Sequence, residues 1–342
     1  MTPFLQNRFL SRRGFLNRAK AAGAGGVVAA LSLDRASAKR GDTNPWAYDV
    51  SPYLSTDPGL IRYVERQRFK SPLPQARCLT RDVTGQLYVA GGRQVAAVDE
   101  SGAVVSRWKF GGEVRGIVVR DGLLYAALRD RVEAQDAQGM RVALWDALDG
   151  KAHLTGIAVG TNDVFLADAG NRVVRRHDRS GKLLHLIGQK NQERGIPGFI
   201  VPSPFFSVAL GADGLVRVTN PGRHRVELYT PEGDLELAWG RPGAAIENFC
   251  GCCNPIDLAM LPDGRTVTFE KGIPRVKVYS ATGAFEGVVA GAESFAENAQ
   301  VCGPNDCTLG GLDGVVDERG RVWILDFVTG QVPVLERKAD RT

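Results

Sequence analysis

Apolar positions in this chain come in short runs, not in helical stripes. QLYVA, LLYAA, DVFLA, LVRVT, RTVTF and RVWIL are runs of β-branched, aromatic or aliphatic residues of strand length, each following a turn at Gly85, Gly122, Asn162, Gly214, Gly264 or Gly320. A second run follows each: QVAAVDESG, RVEAQDAQG, VVRRHDRSG, RVELYTPEG, RVKVYSATG and a truncated QVPVLERKA. Their shared valines are Val95, Val132, Val174, Val226, Val276 and Val332. In the first five, a turn glycine follows seven residues later, at Gly102, Gly139, Gly181, Gly233 and Gly283.

The upstream turn recurs at steps of 37, 40, 52, 50 and 56 residues. Self-similarity at this period, built from short strands with variable connections, predicts an all-β chain folded as a six-bladed β-propeller. The last unit has room for only three strands before the chain ends, which leaves a strand edge to cover. Residues 60–69, LIRYVERQRF, are placed to supply the missing outer strand and close the ring. The expected organisation is one propeller over residues 60–342, preceded by a proline-containing linker or surface wrap over residues 39–59.

NDVFLADAGNRVVRRHDRSGKLLHLIG resembles an NHL repeat, and DGLVRVTNPGRHRVELYTPEGDLELAWG resembles a second. The first, second and sixth units match that pattern less well. CCNPIDLAMLPDGRTVTFEKGIPRVKVY is similar to text from a bacterial family of exported NHL-repeat proteins. That resemblance implies the fold and export, and transfers no activity.

The ends of the chain change the charge picture. Residues 1–38 carry paired arginines in SRRGFLN, a Gly/Ala-rich middle and a small-residue ending at Ala36, Ser37 and Ala38. They resemble a twin-arginine export signal, with Asn17 where lysine is commonest. Export to the periplasm or beyond is therefore expected. The whole chain has 43 basic and 38 acidic residues; the signal holds six of the first and one of the second, leaving 37 of each. A neutral mature chain offers no electrostatic case for nucleic acid. No later apolar run reaches the ~18 residues of a membrane helix. A monomer is expected, with a small molecule or an exported protein as partner.

Candidate chemistry gathers at the loops that enter the blades. Seven residues before each upstream turn lie Cys78, Arg115, Thr155, Ser207, Asp257 and Asp313, one per blade at the expected channel mouth. Strand starts on a wet face tolerate polar residues without a ligand, and a polar channel mouth also suits one. Six residues after the turn lie Asp168, Asn220, Glu270 and Asp326 in blades 3 to 6, where an acidic or amide side chain orders the next turn. Asn254, Asp257, Glu270 and Asp313 could together offer oxygens to calcium.

All six cysteines fall on neighbouring blades: Cys250, Cys252 and Cys253 before blade 5, Cys302 and Cys307 before blade 6, and Cys78 in blade 1. Disulfides between the loops are the expectation for an exported chain. Thiolate ligation of zinc, copper or an iron–sulfur cluster is a second use. A redox-active pair is a third, and needs a cysteine near a cation such as Arg115 or Lys271. The four histidines, His153, His177, His185 and His224, assemble no metal-binding spacing, and only His153 lies near a strand start. Function is left between a binding module acting through its top face and an enzyme at the same mouth, a lyase, a lactonase-like hydrolase or a metal-dependent oxidoreductase.

Overall fold

The computed structural model describes residues 51–295 and 310–339. The export segment, most of the linker, and Cys302 and Cys307 lie outside the described residues. Among those described, no helix is long and apolar enough to cross a membrane.

The described chain forms six four-stranded antiparallel sheets arranged as the blades of a propeller. The first strand, β1 (Tyr63–Lys70), precedes blade 1, which contains β2 (Ala76–Arg81), β3 (Leu87–Gly91), β4 (Gln94–Val98) and β5 (Val104–Lys109). Blade 2 contains β6 (Gly116–Arg120), β7 (Leu123–Ala127), β8 (Val132–Gln135) and β9 (Arg141–Leu144). Blade 3 contains β10 (Leu154–Val159), β11 (Asp163–Asp168), β12 (Val173–Asp178) and β13 (Leu183–Ile187). Blade 4 follows with β14 (Val208–Leu210), β15 (Val216–Asn220), β16 (Arg225–Tyr229) and β17 (Leu235–Trp239). Blade 5 has β18 (Asp257–Met260), β19 (Thr266–Phe269), β20 (Val276–Tyr279) and β21 (Phe285–Ala290).

Blade 6 has β22 (Leu312–Val316), β23 (Val322–Asp326) and β24 (Gln331–Arg337), with β1 as its fourth strand. The register of that last pair runs from Tyr63 opposite Arg337 to Lys70 opposite Gln331. Chain segments more than two hundred residues apart in sequence thus share one sheet. Just ahead of β1, Leu60 and Arg62 exchange backbone hydrogen bonds with Val288 of β21, so the approach to β1 lies along the outside of blade 5.

Burial follows strand position. The second strands β15 and β19 are buried at every residue, because each is covered by a blade on either side. The outer strand β5 is exposed at all but Trp108. The core is accordingly divided into six apolar clusters, one at each blade interface; Trp323, Val89 and Val332 pack together at the seam between blades 6 and 1. Full burial of a side chain of this kind contributes about 1.5–3 kcal/mol.

The repeated turn has a simple cause. In the turn after β4, the Asp99 carboxylate accepts the N–H of Ser101 at 2.9 Å and that of Ala103 at 2.9 Å. Gly102 closes the turn at φ 86°, a left-handed conformation that costs glycine nothing. A Cβ there would also meet the Phe69 ring of β1 at 2.3 Å, so this turn and the last blade are fitted to one another.

Candidate functional site

The six innermost strands bring Cys78, Arg115, Thr155, Ser207, Asp257 and Asp313 to the wall of one central channel, a space of about 310 Å³. At its mouth a second cavity of about 200 Å³ is bounded by Arg115, Thr155, Ser207, Asp257 and Asp313, with Arg77, Phe205, Phe206 and Phe327 above them. Phe205 and Phe327 stack at 6.3 Å with their planes 16° apart. The Arg77 guanidinium lies 5.0 Å from the Phe327 ring.

Asp257 and Asp313 form a carboxylate pair on adjacent inner strands. The Ser207 hydroxyl donates to Asp257 Oδ1 at 2.5 Å, and the Gly314 N–H donates to its Oδ2 at 3.2 Å. Asp313 Oδ2 accepts the Leu79 N–H at 2.6 Å. Burial raises both carboxyls above the usual carboxylate range. Asp313 is raised much further, because the Asp257 charge adds to burial, whereas Ser207 and two backbone amides hold Asp257 down. Repulsion between the two carboxyls favours retention of one proton by the pair, which presents one hydrogen-bond donor beside one charged acceptor. The neighbouring Cys78 thiol is pushed well up by burial, then by Asp313 and Asp257, so it too keeps its proton.

Arg115 crosses the mouth on the opposite side. Its Nη2 donates to Glu113 at 2.8 Å and its Nη1 lies 3.0 Å from His153 Nε2. A guanidinium only donates, so His153 accepts through Nε2 and carries its proton on Nδ1. Burial, Arg115 and Arg129 lower the imidazole further from protonation. Thr155 is spent on the scaffold, its hydroxyl donating to the Phe206 carbonyl at 2.6 Å across the blade 3–4 seam.

Asn254 and Glu270, grouped from sequence with Asp257 and Asp313 as oxygen donors, do not line the mouth. Asn254 is buried, its amide donating to the carbonyls of Cys250 at 2.7 Å and Lys271 at 2.9 Å and its oxygen accepting the Lys271 N–H at 2.9 Å. Glu270 is fully buried inside blade 5, paired with Arg275 at 2.8 Å and Lys277 at 2.6 Å. Both side chains turn into the blade, Asn254 to backbone amide and carbonyl groups and Glu270 to two cations. Glu270 Oε2 also accepts the Cys250 N–H at 3.2 Å. Asp168 and Asn220 work the same way in their own blades, accepting the N–H of His153 at 3.0 Å and of Ile200 at 3.0 Å. Asp326 accepts the Val328 N–H at 2.9 Å and orders the turn that follows it. In blades 3 to 5 this repeat position moors the entrance loop of its own blade.

The cysteines divide between two environments. Cys78 belongs to the channel wall. Cys252 is exposed, Cys253 is buried, and their sulfurs lie 3.4 Å apart. Burial pushes Cys253 up, but the Ser203 hydroxyl, the Lys271 ammonium and Cys252 together outweigh it and leave the thiol below its ordinary value. Lys271 Nζ donates to Ser203 Oγ at 3.3 Å and sits 4.5 Å from the centre of the Phe205 ring. Among the described residues no three His, Cys, Asp or Glu side chains group as metal ligands.

Arg77, Ser203 and the three phenylalanines were not singled out from sequence. Phe205 and Phe206, between Pro204 and Ser207, carried the one signal, an aromatic pair in a polar entrance loop. Arg77 precedes Cys78 and carries none.

Fold and site together define a six-bladed propeller with a polar, proton-sharing channel mouth. A virginiamycin B lyase of Staphylococcus aureus, solved as an inactive variant with quinupristin, superposes with TM-score 0.54 at 12% identity, over 77% of this chain and 80% of that one. A streptogramin B lyase does so with TM-score 0.54 at 13% identity, over 81% of this chain and 98% of that one. The WD40 propeller domain of Doa1 gives 0.52 at 12% identity, over 77% and 79%. At such identities the likeness is one of fold. No protein-family model matches the sequence, and no curated protein matches it.

Proposed function

We propose that the top-face cavity binds a small uncharged or zwitterionic molecule, and that the chain acts first as a binding module. The Asp257–Asp313 pair carries this reading, since a proton shared by two carboxyls offers a donor and an acceptor side by side. Arg77 and Arg115 are offset by Glu113 and by the single charge on the pair, so the mouth is close to neutral and favours neither an anion nor a cation. Its 200 Å³ is below the ~300 Å³ where pockets for drug-sized ligands begin, and suits a small ligand or one end of a larger one. The Phe205 and Phe327 rings supply an apolar wall. A programme of thermal-shift screening with small amides, lactones and amino acids tests it. Stabilising ligands are expected to lose their effect in Asp257→Asn and Arg115→Ala; ligands that stabilise both variants unchanged would overturn the assignment.

A second reading has its own support. The raised carboxyl of Asp313 beside Asp257, which Ser207 and two backbone amides hold lower, sets an acid next to a base on one mouth, the requirement for lyase or hydrolase chemistry. Two of the superposing proteins are lyases by name. Turnover of a bound ligand, lost in Asp313→Asn with binding retained, would make the site catalytic. We also infer export through the twin-arginine route, tested by replacing Arg12 and Arg13 with lysine and following the chain in periplasmic fractions.

A further inference from the structure

The loop entering blade 5 contains two thiols that the cavity does not use. Cys252 and Cys253 are adjacent in sequence, with their sulfurs 3.4 Å apart. Their surroundings differ in the way an exchange reaction needs: Cys252 is open to solvent, whereas Cys253 is buried against Ser203 of the blade 4 entrance loop and Lys271 beyond β19. Cys250, in the same loop, donates its backbone N–H to Glu270 at 3.2 Å. Among the described residues, the charged and titratable groups at this loop are Lys271, Cys250, Cys252 and Cys253, with His224 on the Gly251 carbonyl at 2.7 Å and Glu270 and Arg275 behind the loop.

We propose that Cys252 and Cys253 form a reversible dithiol–disulfide couple that exchanges with low-molecular-weight disulfides. The Cys252 sulfur, its proton released to water, attacks one sulfur of the small disulfide, forming a mixed disulfide and expelling one thiolate. Cys253, its sulfur 3.4 Å away, gives up its proton to water in turn, attacks the Cys252 sulfur and expels the second thiolate. Both expelled thiolates take up protons. The small disulfide gains two electrons and the protein pair loses two. Lys271 is a positioning residue here: its ammonium favours the charged form of Cys253, whose thiolate fraction sets the rate of the closing step. The exposed sulfur meets the reagent and the buried one resolves it, an order imposed by access. Linkage of these two cysteines departs from the expected bonds between loops, and concerns only residues of a single loop.

The test uses the full chain carrying Cys302→Ser and Cys307→Ser, which leaves four of the six thiols. Reduced protein is exposed to defined ratios of oxidised to reduced glutathione, alkylated, and mapped by fragmentation mass spectrometry. The expected result is loss of two thiols together, linked as Cys252–Cys253, without retained glutathione and reversible by dithiothreitol. In Cys253→Ser, glutathione is expected to remain on Cys252. Lys271→Met is expected to slow closure about tenfold at neutral pH and move its pH midpoint upward, with Lys271→Arg restoring both. Failure to oxidise at ratios that oxidise a control dithiol, glutathione persisting on Cys252 with both cysteines present, or linkage to Cys250 or Cys78 would overturn the proposal. If the serine variant does not fold, the same mapping on the unaltered chain separates the same outcomes, with linkage of either cysteine to Cys302 or Cys307 counting against the couple as well.

Discussion

Asp257 opens β18 and Glu270 follows β19, so a single hairpin carries both carboxylates, with Asp257 paired across from Phe269. Glu270 points into blade 5 and is met by Arg275 at 2.8 Å and Lys277 at 2.6 Å. Asp257 points into the channel and is met by another carboxyl, Asp313. Attraction satisfies the first; in the second, repulsion is relieved only by a retained proton. The interior charge therefore fastens the blade and its cysteine loop, while the channel charge costs stability and keeps a mobile proton available. Perturbed carboxyl pairs are enriched at ligand and catalytic sites.

The contrast can be broken at either end. The largest effect is expected for Glu270→Gln, which strands Arg275 and Lys277 with no counter-charge inside the blade. A loss of about 3–5 kcal/mol in urea unfolding is expected for breaking a buried pair in this way. A smaller change would mean that water reaches the blade 5 interior.

Asp313→Asn is expected to act in the opposite direction, raising the melting temperature by a few degrees at neutral pH. The folded value of Asp313 is raised, so its contribution to stability falls as pH climbs from the ordinary carboxylate range through that raised value. Melting curves across the acid-to-neutral range should show that fall in the unaltered chain and a flatter profile in Asp313→Asn. An unchanged slope would remove the shared proton.

Next comes Lys277, pushed down to about 8 by burial despite Glu270. Its folded value lies below the unfolded 10.5, so the unfolded chain holds the proton more tightly and stability should rise as pH increases between them. Subtracting the profile of Lys277→Met isolates this rise from the cysteines that titrate nearby. The smallest effect is kinetic. Reagents small enough to reach Cys253 should alkylate it at lower pH than Cys78, which burial and the two aspartates hold protonated. Equal profiles would erase the electrostatic difference between the loop and the channel.

Much of this was legible because repeats expose equivalent positions. Counting from the turn glycines brought six residues from six blades to one level of the channel, and the structure has all six on its wall. The same count grouped Glu270 with Asp168 and Asn220 as residues that order the next turn, and in the structure all three also hold the entrance loops of their blades. Side-chain direction was not legible: Asn254 and Glu270, grouped with Asp257 and Asp313 as oxygen donors, both turn inward to buried polar groups, which the linear spacing does not encode. Grouping six cysteines by blade was also too coarse, because Cys78 lies on an inner strand among aspartates and Cys253 in a loop beside Lys271.

The local sequence determined the strands, the turns and the number of blades, since β-branched runs and left-handed glycines act over a few residues. Its repeat also set which residue types face the channel. Only the tertiary structure decided their chemistry. Whether Asp313 keeps a proton, whether Cys253 sheds one, and which cation faces which anion depend on distances and burial created when separate blades close into a ring. Those quantities belong to no single repeat, because electrostatic energy depends on every neighbour that folding brings within a few ångströms.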